Sequence, residues 1–220
     1  AYLVRMGNGH EIFVRDLGGL RALTESKTLK RDLTWSSDGR TLAFSEISPY
    51  TPVSERRNPV AWSIVHMVVH DGGITVGQGT HPIILSANAI LAITPEGIQS
   101  LNASAGGVSP TTLVRTPVAP DPGGAFAATA DGELVAWTNP ADHSLQIFQR
   151  AEEKYYLPLI LKKDFSPSSL IFSPDGSTLL FMLYRNDTSE FNALRIEDGT
   201  VSSLGSVPGY ALLTAWIYEK

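Results

Sequence analysis

The sequence contains no cysteine. Its absence excludes disulfides, thiolate zinc centres and a cysteine nucleophile, and leaves the compartment undecided. Charge is sparse: 18% of the 220 residues are charged, and 22 acids face 17 Lys and Arg for a net charge of -5. No nucleic-acid partner is expected, because phosphate binding is led by Lys and Arg. No apolar run reaches the ~20 residues of a helical membrane span. No segment repeats its apolar residues with a helical period. No N-terminal signal sequence stands out, which leaves a cytoplasmic protein or a trimmed chain. Also missing are the Gly-x-Ser-x-Gly elbow of serine hydrolases and a Walker-type loop. Gly7-Asn-Gly9 and Gly77-Gln-Gly79 lack the third glycine of a dinucleotide site. What is present is apolar: 43% hydrophobic residues, enough for a packed core and too many for global disorder.

The apolar residues are organised as a repeat. Leu33–Phe44, Ala128–Trp137 and Leu170–Phe181 each read as a β run, an Asp-Gly turn and a second β run. Gly accepts positive φ without steric cost, so Asp-Gly suits a hairpin. The aspartates stand at 38, 131 and 175; the second interval is 44 residues and the first is about twice that. A hidden copy is expected near 87, where Ile83–Ile93 has the same pattern around Asn88. A fifth copy begins at Tyr210–Ile217 and finds its second strand in Tyr2–Met6 if the two ends of the chain meet. Trp35, Leu85, Ala128, Phe172 and Trp216 then hold one position of the repeat, and Leu42, Ala92, Val135, Leu179 and Leu3 another.

A period of 40–45 residues carrying four short strands is the signature of propeller blades. The expected fold is all-β: one domain over 1–220, a five-bladed β-propeller with four-stranded antiparallel blades. The blades are 210–220 with 1–24, then 32–77, 82–116, 124–160 and 168–204. The ring closes by pairing of 210–217 with 2–6, which removes an open sheet edge.

Glu11-Ile-Phe-Val-Arg-Asp-Leu17 with Leu33–Phe44, and Leu170–Phe181 with Ala193–Gly199, resemble the TolB-like, WD40-like propeller repeat. In that family a Ser-Pro-Asp-Gly turn joins the two inner strands. Ser173-Pro-Asp-Gly176 matches in full, Ser36–Gly39 and Thr129–Gly132 match in part, and Ala87-Asn88 departs. The resemblance is strong over about 70 residues and weak over most of the rest. It implies binding and scaffolding surfaces, often outside the cytoplasm, and carries no catalytic residue. The repeat also caps prolyl-peptidase-like hydrolases, but no hydrolase half accompanies it here.

Chemistry-bearing residues are few. His66 and His70 are four apart in a β run, roughly 13 Å at 3.3 Å per residue, too far to share one metal ion. No metal site and no cofactor are expected, and His10, His81 and His143 read as exposed turn residues. Asp32, Asp121 and Asp164 stand just before innermost strands, which in a propeller places them near one mouth of the channel. Carboxylates there could serve a glycan hydrolase, or simply be solvated turn residues paired with Arg31, Lys162 and Lys163.

Loop length gives a second signal. Ser48–Val60 is the longest connection on the face that the resemblance assigns to blade-to-blade loops, a face it shares with 25–31, Pro117–Gly123, Leu161–Pro167 and 184–190. Long loops on a rigid scaffold carry binding. Tyr50, Arg56 and Arg57 are residue types enriched at interface anchors. Tyr155–Ile160 reads as an outer strand, with Pro158 tolerated on its open edge. The expected function is non-enzymatic: a monomeric scaffold that meets a protein partner or small ligand on the face of loop 48–60. A glycan hydrolase is the alternative.

Overall fold

The computed structural model describes residues 1–69, 71–103, 111–114, 125–139, 142–159, 167–211 and 213, with the backbone alone at 113, 114, 154 and 156–159. Five antiparallel meanders follow one another along the chain. The first holds β1 (Tyr2–Met6), β2 (Gly9–Asp16) and β3 (Gly19–Ala22). The second holds β4 (Leu29–Trp35), β5 (Thr41–Ile47), β6 (Ser63–Val68) and β7 (Gly72–Gln78). The third holds β8 (Thr80–Ser86), β9 (Ala89–Thr94), β10 (Gly97–Asn102) and β11 (Thr111–Val114). The fourth holds β12 (Phe126–Ala128), β13 (Leu134–Thr138), β14 (Leu145–Gln149) and β15 (Lys154–Leu159). The fifth holds β16 (Pro167–Phe172), β17 (Thr178–Arg185), β18 (Thr188–Arg195) and β19 (Val201–Pro208). These sheets are the five blades of a β-propeller, and β15 with its Pro158 is an edge strand as the sequence requires.

Of the expected closing strand 210–217, Tyr210, Ala211 and Leu213 are described. They are tied to the fifth blade: Ala211 N–H donates to Ser189 Oγ at 2.9 Å and Leu213 N–H to Ser169 Oγ at 3.1 Å. The remainder of that strand, and any pairing with β1, lie outside the described residues.

The chain forms two compact units, Ala1–Pro122 and Gly123–Lys220. In the first unit, β5 is buried on both faces, which its continuous apolar run demands. Leu42 and Phe44 pack with Ile12, Val65 and Met67 toward the first blade. Ala43, one residue out of phase, packs with Ile64, Ile84, Ile90, Ala92 and Leu101 toward the third. In the second unit, Leu179, Phe181 and Leu183 of β17 pack against Ala127, Ala136, Leu145 and Ile147 of the fourth blade. Burying each of the larger side chains is worth roughly 1.5–3 kcal/mol. The repeat register is real in three blades, where Trp35 faces Leu42, Ala128 faces Val135 and Phe172 faces Leu179.

The Asp-Gly turns are built as hydroxyl-stapled loops. Gly39, Gly132 and Gly176 take φ of 68–70° while the aspartates do not, so the turn is not the two-residue form with both centres left-handed. The Ser36, Thr129 and Ser173 hydroxyls donate to Asp38, Asp131 and Asp175, whose Oδ1 atoms accept the N–H of Arg40, Glu133 and Ser177 at 3.0, 2.9 and 3.1 Å. These hydroxyl bonds, then the backbone N–H, hold all three carboxyls below the usual carboxylate range. The repeated aspartate therefore serves the turn.

Segment 184–190 is not the long loop expected from sequence. β17 and β18 extend to Arg185 and from Thr188, and Asn186-Asp187 alone turn the chain, with φ of 48° and 56°. Both residue types tolerate the left-handed region, so a two-residue hairpin closes there.

His66 lies in β6 and is buried, 6% exposed, and its Nε2 has no hydrogen-bond partner among the described residues. Burial pushes its pKa below the ordinary histidine value. The folded state therefore favours the neutral ring, and stability present above pH 6.5 declines as the pH falls below that value. Replacement His66→Leu should raise stability by about 1 kcal/mol at neutral pH and flatten its decline between about pH 6.5 and 5. Urea unfolding at several pH values checks both.

Candidate functional site

A cleft of about 370 Å³ opens in the first unit, lined by Arg5, Asn8, Gly9, His10, Leu29, Pro49 and Arg56. Three parts of the chain build it: the β1–β2 hairpin, the first residue of β4, and the connection from β5 to β6. The hairpin is fixed from behind. His10 N–H donates to the Thr28 carbonyl at 2.8 Å, and Lys30 Nζ reaches the His10 carbonyl at 2.7 Å.

Lys30 and Glu11 form a buried centre next to this cleft, with side chains 0% and 7% exposed and Nζ 3.3 Å from Oε2. Lys30 also donates to Ser26 Oγ and Thr28 Oγ1, each at 2.8 Å. Glu11 accepts from Thr24 Oγ1 and from Lys27 N–H, both at 2.6 Å. Burial by itself raises the Glu11 pKa; the Thr24 and Lys27 bonds and the Lys30 charge outweigh it and leave the carboxyl below its usual range. A buried charge pair survives when its remaining donors and acceptors are satisfied, and here five separate groups do so, the His10 carbonyl included. The centre locks β2, the 23–28 connection and β4 together, and so sets the back wall of the cleft.

The connection from β5 to β6 is a self-supporting loop. It contains two short 3₁₀ turns, Glu55–Arg57 and Pro59–Ala61, the second capped by the Asn58 side chain, which accepts from Val60 N–H at 3.1 Å. Arg56 folds inward: Nε donates to the Thr51 carbonyl and Nη2 to the Pro49 carbonyl, both at 2.9 Å. Trp62 Nε1 donates to the Arg56 carbonyl at 2.7 Å, and the Arg31 guanidinium stacks on the Trp62 ring at 4.2 Å. Arg56 is thus a brace of the loop as well as a wall of the cleft. Tyr50 and Val53, by contrast, stand out at 86% and 75% exposure, and Arg57 is exposed.

Asp32 does not sit in a turn before the innermost strand. It lies inside β4, where the register with β5 shifts between Arg31 and Thr34, and its φ is 55°. Oδ2 accepts from His81 N–H at 3.1 Å and Ser45 Oγ at 3.3 Å, and pairs with Arg31 Nε at 3.1 Å. His81 has φ of 54° at the matching register shift of β8. The carboxylate therefore cross-links two neighbouring innermost strands, a structural duty rather than that of a free acid or base. Asp121 and Asp164 lie outside the described residues, as does His70. Among the described residues, no group of three or more His, Asp and Glu is placed to hold a metal ion.

Sequence reasoning missed Arg5, Asn8, Pro49, Lys30 and Glu11. It placed His10 and His81 in exposed turns; both lie in strands, half-buried. Lys30 stands beside Arg31 and Asp32 in β4, so nothing in the local pattern sets it apart from a solvated lysine.

By sequence the chain matches no protein-family model and no curated protein. Its fold has many counterparts among solved structures. TolB from Acinetobacter baumannii is similar with a TM-score of 0.60 and 14% identity, over 89% of this chain and 48% of that one. The Cps50 (Swd1) β-propeller domain from Myceliophteria thermophila gives 0.60 and 13%, over 94% and 73%. A protein from Bacteroides uniformis designated a 6-phosphogluconolactonase gives 0.53 and 14%, over 92% and 64%. The chain thus spans about half the length of the TolB structure it matches. The shared property is the TolB-like, WD40-like propeller fold, and no helix in the described residues is long and apolar enough to cross a membrane.

Proposed function

We propose that this chain is a non-enzymatic propeller scaffold that recognises a partner through the loop side of its first two blades. One observation carries this reading: the cleft of about 370 Å³ adjoins a braced loop that holds Tyr50 and Val53 out to solvent. A loop stiffened by Arg56, Asn58 and Trp62 loses little conformational freedom on binding, so exposed apolar anchors on it bind efficiently. Tyr is a residue type that dominates interface energetics. Arg57 supplies charge at the rim. The enzymatic alternative draws no support from Asp32, whose carboxylate is engaged by Arg31, Ser45 and His81.

The test is photo-crosslinking from a photo-reactive residue placed at the exposed position 54 of the same loop, in an extract of the source cells, comparing the chain that keeps Tyr50 and Val53 with the one carrying Tyr50→Ala/Val53→Asp. The double variant should fold normally, because neither side chain is buried, and should lose at least about tenfold in partner capture. Equal capture of the same proteins by both chains would remove this face from the function.

A further inference from the structure

We propose that the cleft binds a carboxylate side chain of an acidic peptide segment in a partner protein; this deepens the loop-face reading and rests on it. Among the described residues, the polar side chains that line the cleft are Arg5, Asn8, His10 and Arg56, with no acid among them. That is an excess of donors in a chain whose net charge is -5. Arg56 is already oriented: Nε and Nη2 are committed to the Thr51 and Pro49 carbonyls. Its Nη1 takes no part in either bond, and guanidinium groups held in this way suit carboxylate oxygens.

His10 adds a second oriented donor. The Lys30 N–H donates to His10 Nδ1 at 3.4 Å. Nδ1 is then an acceptor, so the neutral ring carries its proton on Nε2. Arg5 is exposed on β1 directly across from His10 in the β1–β2 register. The carboxylate next to His10 in β2 does not compete for these cations: Glu11 is paired with Lys30 and held by Thr24 and Lys27.

The surroundings favour a peptide over a bare anion. Tyr50 follows Pro49 of the cleft wall, and Val53 lies in the span that Arg56 braces; both offer apolar surface that an inorganic anion could not use. An acidic residue in the cleft with an aliphatic or aromatic residue beside it would engage both features.

The experiment is NMR of the isotope-labelled full chain, following the Arg5 and Arg56 Nε–H signals and the His10 ring. Three probes are titrated: the acetylated, amidated peptide Leu-Glu-Leu-Glu-Phe, its counterpart with Gln for Glu, and inorganic phosphate. Saturable shifts of all three residues with the acidic peptide are expected. They should weaken at least about tenfold with the Gln peptide, in Arg5→Glu and in His10→Phe, and weaken as salt rises. Equal binding of the Gln peptide at the same residues would overturn the charge requirement while leaving the loop face as a peptide site. Phosphate acting as strongly as the peptide would overturn the peptide assignment in favour of a simple anion site. No shift with any probe would overturn the inference altogether, and the crosslinking from position 54 would still decide the loop-face reading by itself.

Discussion

Replacement Lys30→Met is expected to cost about 3–5 kcal/mol of folding stability, as is Glu11→Leu, because each leaves its partner buried without a counter-charge. The ammonium of Lys30 is enclosed by Glu11, Ser26, Thr28 and the His10 carbonyl. Without Glu11 that ammonium keeps three neutral acceptors and loses the only opposite charge among its bonded groups. Without Lys30, the Glu11 carboxylate keeps Thr24 and the Lys27 N–H. The double variant Lys30→Met/Glu11→Leu should recover much of the loss, since an apolar pair of similar volume carries no stranded charge. Urea unfolding of the three variants measures this directly; a double variant as unstable as the sum of the singles would mean the pair acts through its hydroxyl partners instead.

The same centre sets an acid limit. Because the folded state holds the Glu11 carboxyl below its ordinary value of 4.5, it contributes stability that is fully present above that pH. The contribution is lost as the pH falls through the lowered folded-state pKa. Glu11→Leu should remove this part of the acid decline. Both single variants should also loosen the start of β2, and with it the donors of the cleft, since Lys30 bonds to the carbonyl of His10.

The second large effect belongs to Gly9→Ala, expected to cost roughly 3 kcal/mol or more. A Cβ at this position would run into the Lys27 carbonyl oxygen and stand 2.9 Å from that of Thr28. Both obstacles are backbone, so no rotamer can clear the way. Relief requires β2 to move off the 27–28 segment, which breaks the His10–Thr28 and Lys27–Glu11 bonds together. At about 2–4 °C per kcal/mol for a chain of this size, the melting temperature should fall by roughly 6–12 °C. Gly7→Ala in the same hairpin is the control. Gly7 has φ of 62° and open space around it, so its replacement meets only left-handed strain of about 1–2 kcal/mol. A Gly9→Ala loss no larger than that of Gly7→Ala would show that the hairpin yields easily and does not hold the cleft.

Much of the architecture was readable because its causes are local. Alternating and continuous apolar runs separated by Asp-Gly turns located the strands, and the intervals between the turns counted the blades. The match of Trp35 with Leu42 and of Phe172 with Leu179 across their hairpins was written in the spacing alone. Where local signals are weak, the turns are not legible: Tyr184-Arg185 and Thr188–Glu190 carry little apolar pattern, so nothing local marks Asn186-Asp187 as a tight turn within a longer polar stretch.

The functional residues followed a different rule. Lys30 meets Glu11 and His10 about twenty positions away, and Asp32 meets the His81 N–H across 49 residues. Such encounters depend on which innermost strands become neighbours and where their registers shift, which no spacing along the chain encodes. The sequence by itself determined the all-β blade repeat, its turns and the exposed loop with Tyr50, because hydrophobic burial and turn sterics act over a few residues. The tertiary structure alone decided that Lys30 and Glu11 are buried together, that Asp32 is a cross-link and that Arg5, His10 and Arg56 share one cleft. Electrostatic partnership is settled by distance in space, and that distance exists only once the blades have packed.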